Sequence, residues 1–302
     1  MTDRKILIVV DPRSNEQPAA ERAAWLAERL SASLELFICD YDPDIDVGRV
    51  ATVWIDQPVR EKLLGILREK LEAIAAPLRE RGLEVAVDVA WEHPLEDGIE
   101  RKVVACQPWL VAKDTHHHNV LKRTILSNTD WHLIRQCPAP LLLVKPNPVA
   151  ENPKVFAAVD PLHVHDKPAK LDNEIVEFAK TLADGTEGEL HVLHTFMVPA
   201  PSSVPEGAWI AQRAQIAEDI EREHREAFKE FLAPYTIPDD RAHLVEGAAY
   251  ERIPEITERE GAGVIVMGAV SRSGLDRIFI GSTAERVLDR LPCDLLIVKL
   301  RE

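Results

Sequence analysis

The residues best suited to chemistry lie in one stretch near the end of the chain. It reads Met267-Gly268-Ala269-Val270-Ser271-Arg272-Ser273-Gly274-Leu275, and it closes, five residues later, in Gly281-Ser282-Thr283-Ala284-Glu285. Glycines let backbone N–H groups approach an anion with no Cβ in the way. A helix beginning at Gly281-Ser282-Thr283 adds unpaired N–H donors and a partial positive charge. Ser282 and Glu285 have the spacing of a capping box. The chemistry implied is phosphate binding. The same residues also admit a purely structural role. Gly268 can turn the chain, Gly281 can permit close helix packing, and Ser282 can cap a helix that binds nothing. No GxxxxGK[ST] loop occurs anywhere, which argues against a P-loop NTPase.

A second group with chemical potential is Asp114-Thr115-His116-His117-His118. In an extended segment alternate side chains point the same way, so His116 and His118 are candidates to share one zinc ion while His117 faces elsewhere. Cys106, His132 or Cys137 would have to complete the set. The plain alternative is a polar surface loop. No Ser-His-Asp or paired-carboxylate constellation can be assembled from spacing, so no catalytic residue is assigned.

The elements that must hold these loops are written twice. Lys5-Ile-Leu-Ile-Val-Val-Asp-Pro12 is answered by Lys154-Val-Phe-Ala-Ala-Val-Asp-Pro161, and Pro140-Leu-Leu-Leu-Val-Lys145 by Asp294-Leu-Leu-Ile-Val-Lys299. In the first half, apolar runs predict strands at 5–11, 34–40, 83–90, 109–113 and 140–145. Helical periodicity predicts helices at 18–31, 58–80, 95–106 and 128–136, with Gly82 as the residue that stops the second. The second half predicts strands near 153–159, 188–196, 241–246, 263–268 and 294–299, and helices near 171–183, 206–233, 251–260 and 282–290. Strands alternating with helices of this length need parallel pairing with right-handed crossovers. Each half is therefore read as a doubly wound, five-stranded parallel α/β domain, covering 1–147 and 151–302. The Pro/Asn stretch 146–153 is a short stiff tether, from which an intramolecular pseudo-dimer of the two halves is expected.

Composition sets the partners. The 302 residues are 46 % hydrophobic, enough for two cores, and carry a formal charge of −15. That balance disfavours nucleic acid and anionic membrane surfaces. The four cysteines show no CxxC spacing and read as reduced thiols. No apolar run approaches a membrane span, and the N-terminus carries no secretory pattern, so a cytoplasmic location is expected. Five of the six tryptophans fall in the first half, either as packing or as the lining of an apolar pocket. The charged stretch 211–230 reads as a solvated helix face with i,i+4 ion pairs.

The loop at 268–282 resembles the ATP-binding signature of the universal stress protein family, G-2x-G-9x-G-[ST]. The surroundings match too: Val-Asp-Pro at 159–161, Leu-His-Val-Leu-His at 190–194, and Ala284-Glu-Arg-Val-Leu-Asp-Arg-Leu-Pro-Cys-Asp-Leu-Leu-Ile-Val-Lys299. The resemblance covers both halves and is to the tandem, E-type members. It implies a sheet ordered 3-2-1-4-5 with an adenine nucleotide across the ends of the first and fourth strands. Asp160 would then meet the adenosine, Thr195 would border adenine, and Gly268, Ser271, Arg272, Gly281, Ser282 and Thr283 would surround the phosphates. Ser271 departs from the signature, because its Cβ stands where the family has a glycine. The first half departs further. Aligned without gaps, 110–145 on 264–299, it has Asp114 in place of Gly268 and none of the signature glycines.

The function expected from these residues is a non-catalytic stress-response protein that binds ATP or another adenine nucleotide in its second half. Protein partners, and a homodimer beyond the pseudo-dimer, fit the same reading. Two alternatives are a slow ATPase and a scaffold that binds metal or an apolar ligand without nucleotide.

Overall fold

The computed structural model describes residues 4–43, 56–118, 123–148, 150–162, 169–199, 206–269, 287–288 and 290–300. The chain divides into two compact units, Met1–Val149 and Ala150–Leu300. In the first, β1 (Arg4–Val9), α1 (Pro18–Leu30), β2 (Ala32–Asp40), α2 (Asp56–Glu80), β3 (Val85–Trp91), α3 (Leu95–Cys106) and β4 (Leu110–Asp114) follow in order. A short antiparallel hairpin, β5 (His116–His118) with β6 (Arg123–Ile125), then leads to α4 (Asn128–Gln136) and β7 (Leu141–Val144). The strands pair in parallel in the order β3-β2-β1-β4-β7.

The second unit contains β8 (Lys154–Ala158), α5 (Ala169–Gly185), β9 (Glu189–Phe196), α6 (Glu206–Leu232), a 3₁₀ turn at Asp239–Arg241, and β10 (Ala242–Glu246). It continues with α7 (Ala249–Glu260), β11 (Ala262–Gly268) and β12 (Asp294–Val298). Its parallel order is β10-β9-β8-β11-β12. Each unit therefore has the expected 3-2-1-4-5 arrangement.

The central strands are apolar along their length because helices cover both faces of a parallel sheet. Ile6, Leu7 and Ile8 in β1 are buried, as are Val155, Phe156 and Ala157 in β8. The edge strands β3 and β10 are mostly half-exposed. The stripe Ala20, Ala23, Ala24, Ala27 on α1 is fully buried, and its small side chains let the helix lie close to the sheet. α2 stops as the sequence predicts. Gly82 takes φ +88°, its N–H donates to the Arg79 carbonyl at 2.9 Å, and the Leu83 N–H donates to Leu78 at 3.3 Å, the paired bonds of a Schellman motif.

Some boundaries move. The first strand ends at Val9 rather than running to residue 11. Asp11 belongs to the turn, where its Oδ1 accepts from the Arg13 N–H at 2.8 Å. Segment 116–125, read as a loop, is a hairpin around the undescribed residues 119–122. Of the helix expected at 282–290, only 287, 288 and 290 are described. Among the described residues, no helix is long and apolar enough to cross a membrane.

Candidate functional site

In each sheet the chain leaves the first strand on one side and returns on the other. The crevice between the first and fourth strands, at their carboxyl ends, is where open α/β sheets take ligands. In the second unit those strands are β8 and β11, paired with Ala157 opposite Val266. β11 runs out at Gly268 and β8 at Ala158, with Asp160 two residues beyond it. The neighbouring β9 keeps step, since the Val159 N–H donates to the Leu193 carbonyl at 3.0 Å. Thr195 stands two residues further along β9 and is half-buried. The fold thus gathers Asp160, Thr195 and Gly268 at one end of one sheet. Ser271, Arg272, Gly281, Ser282 and Thr283 lie outside the described residues.

Gly268 also has a packing role. A Cβ there would come within 2.7 Å of Leu171 Cδ2, 2.9 Å of Leu171 Cγ and 3.0 Å of Ile175 Cδ1, all on α5. The helix can sit this low on the sheet only because the strand ends without a side chain. The same helix reaches the strand end from below, where Asp172, with no exposed surface, accepts from the Asp160 N–H at 3.1 Å. The floor of the crevice is therefore fixed by α5 before any ligand arrives.

The equivalent crevice of the first unit carries its own anions. Asp114 stands at the end of β4, and its Oδ1 accepts from the Ala19 N–H at 2.6 Å. That bond supplies the N-terminal cap of α1, because Gln17 at the N-cap makes no side-chain cap bond. A second carboxylate serves α4. Ser127 accepts from the Asp130 N–H at 3.1 Å while Asp130 Oδ2 accepts from the Ser127 N–H at 2.7 Å, closing a capping box. Asp130 is wholly buried, and its other oxygen lies 2.7 Å from Lys113 Nζ. In the gap-free alignment Ser127 and Asp130 correspond to Gly281 and Ala284. In this unit the Ala19 N–H in the first turn of α1 and the Ser127 N–H before α4 are thus taken up by carboxylates of the protein itself.

The second unit also holds a histidine system that motif and spacing do not reveal. On β9, His194 is almost fully buried, and its Nδ1 is 3.1 Å from the Val159 carbonyl. A carbonyl only accepts, so Nδ1 carries the proton, and Nε2 accepts from His224 Nδ1 on α6 at 2.8 Å. The pair ends at the residue that precedes Asp160. Burial is the main reason the His194 pKa is lowered; the hydrogen bond to the Val159 carbonyl opposes it, His224 acts in the same direction as burial, and Asp160 and Asp172 oppose it more weakly. His224 is lowered chiefly by burial too. Three residues back along β9, His191 meets His243 of β10 at 2.9 Å and stacks on Phe156. The signal was present as Leu-His-Val-Leu-His, but nothing in the sequence located His224 or His243 opposite it.

The histidine triplet is described through its backbone, with His116 paired to Ile125 and His118 to Arg123 across the hairpin. Of the residues offered to complete a metal set with it, Cys137 is buried at the end of α4, Cys106 closes α3, and His132 has its ring nitrogen beside Glu100.

The profile of the universal stress protein family matches residues 3–145 and again 158–299. Universal stress protein E of Escherichia coli K12 is 29 % identical over 301 residues, spanning 98 % of this chain and 94 % of that one. A solved structure of a functionally unknown protein from Pseudomonas aeruginosa PAO1 is 30 % identical, covers 99 % of this chain and 94 % of its own, and superposes with a TM-score of 0.77. A universal stress protein from Archaeoglobus fulgidus, 16 % identical with full coverage of both chains, shares the fold at a TM-score of 0.70. Matched in both halves and along nearly its whole length, this chain belongs to the universal stress protein family.

Proposed function

We propose that the second unit binds ATP or a related adenine nucleotide and that the first unit does not, the protein acting as a non-catalytic, nucleotide-responsive member of its family. One observation carries the reading. At the matching strand end, the first unit has a buried carboxylate, Asp114, and the second has Gly268. An anion is repelled from the one and admitted to the other. Asp160 and Thr195 flank that strand end, and exposed Met197, just past β9, offers an apolar surface to a purine ring. Ser271, Arg272, Gly281, Ser282 and Thr283 would surround the phosphates.

Titration calorimetry of the full chain with ATP and magnesium tests this. One nucleotide per chain is expected, lost in Gly281→Asp, which places a carboxylate next to the phosphates, and retained in Asp114→Asn. No binding by the unaltered chain, or two nucleotides per chain, would overturn it. Phosphate release measured on the same samples separates a binder from a slow ATPase.

A further inference from the structure

Outside the nucleotide crevice, the described residues bring one set of metal-ligating side chains together, in the first unit. Asp97 and Glu100 are three residues apart on α3 and so share a face. His132 comes from α4, which packs against α3. One ligand atom from each of the three lies within 4.8 Å of the others.

The histidine nitrogen gives the arrangement its meaning. The His132 side chain is 31 % exposed, but its Nε2 atom is shielded from solvent and makes no hydrogen bond, although Glu100 Oε1 is only 3.4 Å away. A buried polar atom left in that state costs free energy whether it carries a proton or a lone pair. A cation satisfies the lone pair and both carboxylates at once. The spacing between His132 and Glu100 suits a small ion, and Asp97, with its ligand atom within 4.8 Å of both, would draw in to complete the set. Tetrahedral zinc with bonds of about 2.0–2.1 Å sets neighbouring ligand atoms about 3.3 Å apart, close to the distance between Nε2 and Oε1. One imidazole and two carboxylates are a donor set that zinc accepts, with the fourth position left to water. Asp97 is exposed, so the ion has a path in from solvent.

We propose that Asp97, Glu100 and His132 bind a divalent cation of the zinc class that clips α3 to α4. The site is independent of the nucleotide reading, because it lies in the other unit and uses none of its residues. It also differs from the set built on His116 and His118.

The test uses the full chain, purified without an affinity tag and stripped with chelator. Zinc is titrated by calorimetry and cobalt(II) by its visible absorption, and circular dichroism and melting of the stripped proteins confirm folding. One ion per chain is expected, with cobalt bands of low-coordinate type. His132→Ala and Glu100→Gln should each weaken binding more than about tenfold, as loss of a ligand does at least as much harm as loss of its supporting bond. Asp97→Asn, at an exposed position, should weaken it without altering the fold. His116→Ala/His118→Ala should leave it unchanged. The proposal is overturned if the unaltered chain takes up no zinc, if His132→Ala binds as well as the unaltered chain, or if only the His116/His118 variant loses the ion.

Discussion

Replacing Gly268 with alanine separates the two roles of that residue. The added methyl would lie 2.7 and 2.9 Å from two carbons of Leu171 and 3.0 Å from one of Ile175. Carbon atoms pack best at about 3.5–4.0 Å, so Leu171 must retreat by roughly 0.8 Å. It has little space to do so, because Leu171 and Ile175 are 1 % and 0 % exposed. Overpacking of this kind costs about 1–3 kcal/mol. For a unit of this size that is a fall in melting temperature of roughly 2–12 °C. The assay is thermal and urea denaturation without nucleotide, repeated in a Leu171→Ala background. Truncating Leu171 costs about 2–5 kcal/mol by itself but removes the two shortest contacts and leaves only the 3.0 Å approach to Ile175, so adding Gly268→Ala to it should cost clearly less than in the unaltered chain. A glycine kept only for phosphate would give a stability unchanged by Gly268→Ala. That outcome, or an equal cost in both backgrounds, would refute the packing argument.

Two further perturbations follow from the buried charges. Lys113→Met should destabilise the first unit by about 3–5 kcal/mol, because it leaves the fully buried Asp130 carboxylate without its cation. Lys113→Met/Asp130→Asn should cost less than the sum of the two single changes in urea denaturation, and strict additivity would show that the pair is not coupled. The second unit should lose stability as pH falls. Burial holds His191, His194, His224 and His243 below the ordinary imidazole value of 6.5. The unfolded chain then takes up protons first, so their contribution is complete above about pH 6.5 and declines as pH drops toward the folded values. The almost fully buried His191 and His194 each account for a slope of up to about 1.4 kcal/mol per pH unit within that window. Urea midpoints that stay level between pH 7.5 and 5.5 would contradict it, and His194→Gln should flatten the slope.

The repeat, the parallel α/β class, most elements and the place of the crevice are all legible in the order of residue types. Apolar runs such as Ile6-Leu-Ile-Val9 are buried on both faces, and a strand with that pattern fits only inside a parallel sheet. Gly82 marked the end of its helix because few other residues adopt φ +88° there. The change of Gly268 to Asp114 between the halves was visible as a change of charge. What that change does emerges only in the folded chain. Asp114 caps a helix through Ala19, 95 residues earlier in the chain, Leu171 on α5 is what holds Gly268 to glycine, and His194 finds His224 thirty residues away. Periodicity reports which face of an element is buried, and it carries no information about which distant element arrives to bury it. The same limit hid the meeting of His132 with Asp97 and Glu100. That contact depends on how α3 and α4 cross, and crossing is set by side chains packing in three dimensions.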